Sequence, residues 1–161
     1  MNPHDRYILD HTEPEDPLLH ELDRETHLRT VAPRMVSGHL QGRLLTLLVR
    51  MLRPRRVLEI GTFTGYSALS MAAGLEEDAL LHTFEVDDEL EELIRTYFDR
   101  SPHGGKIRLH IGSALELAPA LGEQFDLVFI DGDKREYPDY YRMLMGDRDG
   151  RPLVHAGSIL L

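Results

Sequence analysis

V-L-E-I-G-T-F-T-G-Y-S-A-L-S-M, residues 57–71, decides the reading of this chain. The pattern predicts a short apolar strand from Val57 to Ile60, a glycine turn from Gly61 to Gly65, and a small-residue helix opened by Tyr66 and Ser67. Such a unit sets free backbone N–H groups, and the positive end of a helix dipole, beside whatever binds there. The spacing is G-x-x-x-G, unlike the G-x-G-x-x-G of dinucleotide sites. A carboxylate, Glu59, stands at the strand end before the first glycine. It repels a phosphate but suits a cationic amino or sulfonium group, which favours a nucleoside of the S-adenosylmethionine type over NAD. A plain tight connection between strand and helix has the same look, so the motif alone leaves that alternative open.

Length and charge narrow the class. A chain of 161 residues reads as one domain, able to bury about two-thirds of its unfolded surface. No apolar run approaches the roughly 20 residues of a membrane span. The opening M-N-P-H-D-R-Y lacks the basic and apolar regions of a signal peptide. With no cysteine there is neither a disulfide framework nor a thiolate site. A cytoplasmic protein with no membrane partner is the expectation. The formal charge of −10 argues against a nucleic-acid surface. The one dense basic run, Arg50 to Arg56, reads as a solvated helix end.

Outward from the glycine stretch, the chain reads as alternating elements. Residues 1–34 form an N-terminal helical segment, broken by Pro14 and Pro17, with Leu18, Leu19, Leu22 and Leu28 on one face and Pro33 as its end. Residues 35–161 form the ligand-binding core. Its first helix runs from Ser37, a plausible N-cap, to Leu52, with Pro54 as the stop. Ala79 to Val86 reads as a second strand, and Asp87, Asp88 and Glu89 begin a helix reaching Phe98, where acids complement the dipole. Ile107 to Ile111 is a third strand, and Leu115 to Leu121 a short helix. Phe125 to Ile130 is apolar enough for a strand covered on both faces. Pro138 suits the first turn of the next helix. A polar loop from Gly146 to Arg151 leads to a fifth strand, Ser158 to Leu161. Strands alternating with helices imply an α/β fold of the Rossmann type, a parallel sheet with helices on both faces.

Ligands of such sheets bind beyond the carboxyl ends of the strands, where the polar residues of this chain gather. Glu85 ends the second strand about 24 residues after Gly61, near the usual offset for a carboxylate gripping ribose hydroxyls. Its other reading is a helix-capping acid. Gly112-Ser113-Ala114 can let the backbone approach an adenine ring, or can be a plain turn. Asp131-Gly132-Asp133-Lys134 follows a buried strand, with hard oxygens suited to Mg²⁺, Mn²⁺ or Ca²⁺. A lysine beside such a cation can act as a general base. A surface Asp–Lys turn is the alternative. The histidines show no metal-ligand spacing, and no G-x-S-x-G elbow occurs.

Three motifs together carry a family resemblance. M-V-S-G-H-L-Q-G-R-L-L (35–45), V-L-E-I-G-T-F-T-G-Y-S (57–67) and F-D-L-V-F-I-D-G-D-K-R-E-Y (125–137) resemble the cation-dependent class I O-methyltransferases, the caffeoyl-CoA and catechol O-methyltransferase relatives. The resemblance implies methyl transfer from S-adenosylmethionine to a hydroxyl of a catechol-like acceptor, assisted by a divalent cation. It implies that Met35 and Ser37 line the cofactor pocket, and that Glu59, Gly61 and Ser67 hold the methionine part. Glu85 would take the ribose, Ser113 and Ala114 the adenine side, and Asp131 and Asp133 the vicinity of the amino group. Asp131 would also be the metal ligand, and Lys134 the base that deprotonates the acceptor. Relatives are usually dimers, so a homodimer is expected.

The departures from the family pattern are specific. Ser113 stands where an acid is common, Gly132 replaces an alanine, and Glu136 replaces an asparagine. Family members continue past the fifth strand with an Asp-Asn pair that completes the metal site, and then with two more strands. The expectation is therefore a C-terminally incomplete methyltransferase sheet. A non-catalytic S-adenosylmethionine-binding or dimerisation module is the rival reading; a nicotinamide-dependent oxidoreductase is disfavoured by Glu59 and the glycine spacing.

Overall fold

A computed structural model describes residues 3–147 and 150–161. Five strands form one parallel sheet: β1 (Arg56–Ile60), β2 (Leu80–Glu85), β3 (Ile107–Ile111), β4 (Phe125–Ile130) and β5 (Val154–Leu160), in the order β3-β2-β1-β4-β5. Seven helices accompany them: α1 (Pro3–Asp10), α2 (Pro17–Arg29), α3 (Gly38–Leu52), α4 (Tyr66–Ala72), α5 (Glu91–Arg100), α6 (Ala114–Leu117) and α7 (Tyr137–Met145).

The helices divide between the two faces because the strands alternate. Val57, Leu81, Ile107 and Leu127 point one way and pack with Leu22 of α2, Leu45 and Val49 of α3, Met71 of α4 and Ile94 of α5. Leu58, Phe84 and Val128 point the other way, against Ala114 of α6 and Tyr140 and Leu144 of α7. Leu22 is fully buried, and a leucine so placed contributes about 1.5–3 kcal/mol by leaving water. Helix α2 thus shares the core of the sheet. Its start follows local chemistry: Pro17 occupies the first turn, and the Asp16 side chain accepts from the Leu18 amide at 2.8 Å.

The sequence-based bounds hold for β3 and β4 and shift elsewhere. Ser37 takes the N-cap position of α3 but has helical backbone angles and makes no capping bond with its side chain. The acidic run after β2 forms a 3₁₀ turn, Asp88–Leu90, capped by Asp87, and α5 begins only at Glu91. The stretch Leu115 to Leu121 splits into α6 and a 3₁₀ turn, Ala118–Leu121, because Pro119 cannot donate in a continuing helix. Strand β5 starts at Val154, four residues before the expected Ser158. Val154 pairs with Phe125 and Ile159 with Leu127, so three extra residues bulge out of β5. The Ser158 hydroxyl ties that bulge to the Phe125 carbonyl at 2.7 Å. Residues 148 and 149 of the polar loop lie outside the described residues.

No helix among the described residues is long and apolar enough to cross a membrane. Arg53, Arg55 and Arg56 of the basic run meet Glu76, Asp78 and Glu123.

Candidate functional site

The strand order turns at β1, with β2 on one side and β4 on the other. A crevice opens beyond the carboxyl ends at such a switch point, because the two following loops diverge to opposite faces. Here the loop after β1 is pinned closely. Gly61 has φ +101°, and a Cβ there would lie 2.5 Å from the Asp131 carbonyl oxygen. Only glycine lets the ends of β1 and β4 approach so nearly. Phe63 keeps a left-handed backbone, φ +50°, without being glycine. Its amide donates to Glu85 Oε2 at 2.6 Å, which holds the loop against the end of β2.

Glu59 lies one residue before the carboxyl end of β1, fully buried. Burial pushes its carboxyl up to about 8; the Ser67 and Thr83 hydroxyls pull it back, while the negative Asp131 and Glu85 push it further up. The Thr83 hydroxyl donates to Glu59 Oε2 at 2.5 Å, but Oε1 closes no hydrogen bond. A buried carboxylate oxygen without a donor is costly, and a cationic amino group is the partner that removes the cost. Thus Glu59, with the glycine loop beside it, fits an amino-bearing nucleoside such as S-adenosylmethionine.

The other expected residues fall into distinct settings. Ser67 is buried in the first turn of α4. Glu85 ends β2 with both oxygens engaged, Oε2 by Phe63 and Oε1 by the Asp87 amide at 3.0 Å. Each oxygen keeps a further lone pair for a hydroxyl donor. Ser113 precedes α6 at its N-cap position, and Ala114 is buried beneath it. Met35 closes a 3₁₀ turn, Pro33–Met35, and is 61% exposed; Ser37 follows on the way into α3.

Asp131 and Lys134 lie exposed on the loop after β4, with the Asp131 carboxyl raised by partial burial and lowered by Lys134. Asp133 takes a different part. It caps the 3₁₀ turn Lys134–Glu136 and pairs with the Arg135 guanidinium at 2.5 Å, which holds its carboxyl down at about 2.

Those carboxylates do not assemble a cation site by themselves. Among the described residues, no group of three or more His, Asp or Glu side chains converges. A hard divalent ion needs about six oxygens, and Asp133 is turned to Arg135. The residues at hand fit the nucleoside and do not fit the metal.

Sequence reasoning missed the threonines. Thr83 stands opposite Glu59 in the β1–β2 register. Thr62 Oγ1 lies 2.6 Å from Thr83 Oγ1, and Thr26 of α2 donates to Thr64 Oγ1 at 2.8 Å. The sole linear signal was the spacing of Thr83 two residues before Glu85 on β2.

The chain resembles proteins that handle this kind of ligand. The O-methyltransferase family model matches residues 9–159. The catechol O-methyltransferase of Niastella koreensis is 33% identical over 126 residues, covering 74% of this chain and 56% of that protein. The catechol O-methyltransferase domain-containing protein 1 of Mus musculus is 34% identical over 164 residues, covering 99% of this chain and 60% of its own length. Thus this chain spans about half to three-fifths of these curated relatives. Among solved structures, the S-adenosylhomocysteine (SAH)-bound Podospora anserina methyltransferase PaMTH1 superimposes with a TM-score of 0.87 at 28% identity, over 98% of this chain and 66% of that one. The Bacillus cereus O-methyltransferase in complex with SAH gives the same TM-score and identity, over 98% and 70%. A buried carboxylate at a G-x-x-x-G switch point and a family match over nearly all of its residues agree: this chain belongs to the O-methyltransferase family.

Proposed function

We propose that this protein is an S-adenosylmethionine-dependent O-methyltransferase acting on a hydroxyl of a catechol-like small molecule, with a divalent cation. One observation carries the cofactor half: the fully buried Glu59 keeps Oε1 free of any hydrogen bond. When bound, S-adenosylmethionine supplies a methyl group on a sulfonium, ready for in-line displacement. Glu59 accepts the amino group, with Gly61 and Ser67 beside the same methionine part. Glu85 receives the ribose hydroxyls while keeping the Phe63 loop in place. Ser113 and Ala114 border the adenine, and Met35 and Ser37 border the pocket from the α2–α3 side. Asp133 lies near the amino group, in competition with Arg135. Lys134 takes the proton of the acceptor hydroxyl, and Asp131 would be one oxygen ligand of a cation whose other ligands the described residues do not supply. The catechol-like acceptor is supported by the names of the relatives. The proposed setting is the cytoplasm, as a homodimer, without nucleic-acid or membrane partners.

Calorimetric titration of SAH, with and without Mg²⁺, tests this reading. Micromolar binding is expected; its absence in a folded chain would overturn the cofactor assignment. Strengthening by Mg²⁺ would support the cation. A second reading, a non-catalytic S-adenosylmethionine-binding or dimerisation module, is favoured by Asp131 standing outside any ligand cluster among the described residues. It expects binding indifferent to Mg²⁺ and no methylation of a catechol. Lys134→Ala separates the two where turnover is measurable: on the enzymatic reading turnover falls while SAH affinity stays.

A further inference from the structure

The two threonine hydroxyls beside Glu59 form a directed relay. Glu59 and Thr83 face each other across β1 and β2, and Thr62 is the first residue after Gly61. Thr83 Oγ1 lies 2.5 Å from Glu59 Oε2, and Thr62 Oγ1 lies 2.6 Å from Thr83 Oγ1. All three side chains are shielded from water: Glu59 and Thr83 have no exposed surface and Thr62 has 2%. Each hydroxyl carries one proton. When Thr83 donates its one hydrogen bond to Glu59, its oxygen can only accept, so Thr62 must donate to Thr83. With Glu59 ionised, as a bound cationic amino group would keep it, the direction runs from Thr62 to Thr83 to Glu59. Thr83 occupies Oε2 and leaves Oε1 without a hydrogen bond, with the Ser67 hydroxyl as the other donor that acts on this carboxyl.

We propose that Thr83, backed by Thr62, is a positioning residue that makes Glu59 selective for the cationic amino group of the methyl donor. Thr83 anchors one oxygen and so fixes the carboxylate plane, which leaves Oε1 as the atom for the ligand. A hydrogen bond to a carboxylate in a dry setting is both strong and directional. Thr62 couples that orientation to the glycine loop, whose Gly61 and Thr62 amides both donate to the Phe84 carbonyl, at 3.1 and 3.0 Å. One chain of hydrogen bonds therefore joins the loop to the carboxylate. This inference rests on the assignment of Glu59 as the amino-group acceptor.

The test uses two ligands and four variants of the full chain. SAH carries the amino group, and 5′-methylthioadenosine keeps the nucleoside without it. Thr83→Val replaces the hydroxyl by a methyl of nearly the same shape. SAH affinity should fall about tenfold, the loss of one charge-assisted hydrogen bond. Affinity for 5′-methylthioadenosine should change less than twofold, and Thr83→Ser should return SAH binding to within about twofold of the parent. Thr62→Val should show the same ligand preference with a smaller loss, and covers the case in which Thr83→Val does not fold. Equal weakening of both ligands would mean a distorted pocket and would overturn the proposal, as would failure of Thr83→Ser to restore SAH binding. Glu59→Gln separates the two levels. If it weakens SAH and the threonine variants do not, the positioning role is wrong and the Glu59 assignment stands. If none of the variants affects SAH, the Glu59 assignment itself is wrong.

Discussion

The Glu85 carboxylate reaches from the end of β2 to the amide of Phe63, 2.6 Å away in the loop after β1. Phe63 is the one residue of that loop that adopts a left-handed backbone without being glycine, at a cost of about 1–2 kcal/mol. The second Glu85 oxygen takes the Asp87 amide. One side chain thus shapes two loops at the mouth of the crevice, whatever else it binds.

Glu85→Gln keeps the size of the side chain but leaves one oxygen to serve two amides. We expect a loss of about 1–2 kcal/mol, the difference between a charged acceptor and a half-satisfied amide. At roughly 2–4 °C per kcal/mol for a chain of this size, thermal melting should read a drop of several degrees. An unchanged melting temperature would show that Phe63 holds its conformation without Glu85.

Glu59 makes stability and pH oppose each other. Its folded carboxyl is raised to about 8 by burial, above the usual value of 4.5. A raised acid leaves full stability below the unfolded value, and that stability is lost as pH rises through the folded one. Between about pH 4.5 and 8 the parent chain should therefore lose stability relative to Glu59→Gln, and the gap should level off above pH 8. The same variant should bind SAH more weakly. Melting curves across that range check the first statement and calorimetry the second; parallel pH profiles would refute the buried acid.

Alanine should be costly at Gly61 and neutral at Gly105. A Cβ on Gly61 meets the Asp131 carbonyl at 2.5 Å on a backbone with φ +101°. A left-handed penalty of about 1–2 kcal/mol and a steric one of about 1–3 kcal/mol add up. Melting should fall by roughly 10 °C, with SAH binding lost. Nothing lies within 4 Å of a Cβ on Gly105, so Gly105→Ala should stay within about 0.5 kcal/mol of the parent.

His155 should stabilise the β5 bulge mainly in acid. The Ala156 carbonyl, and then Asp126 at 2.9 Å, raise its pKa. A raised base contributes below its unfolded value, about 6.5, and loses that contribution as pH rises through the folded value. The difference in melting temperature between the parent and His155→Gln should be larger at pH 6 than at pH 8. A gap that does not change with pH would leave the ion pair without a role.

By itself the sequence determined the class of fold and put the candidate site residues at the ends of strands. The G-x-x-x-G turn after Val57–Ile60, and the apolar runs that became β3 and β4 with the expected bounds, depend on local periodicity and on what glycine permits. Glu59, Glu85 and Asp131 could be placed at strand ends because alternating elements dictate where strands end. What depends on partners distant in sequence was settled by the tertiary structure alone. Strand pairing set Thr83 against Glu59 and left one carboxylate oxygen without a donor. The β4 register drew Val154 into β5, ahead of the apolar run that marked the strand. Even two residues along the chain, Arg135 pairs with Asp133 only through the 3₁₀ turn that the folded loop adopts. The physical reason is common to all three: periodicity reports which face a residue occupies, whereas a hydrogen bond or ion pair depends on which atom the packed chain brings within 3 Å of it.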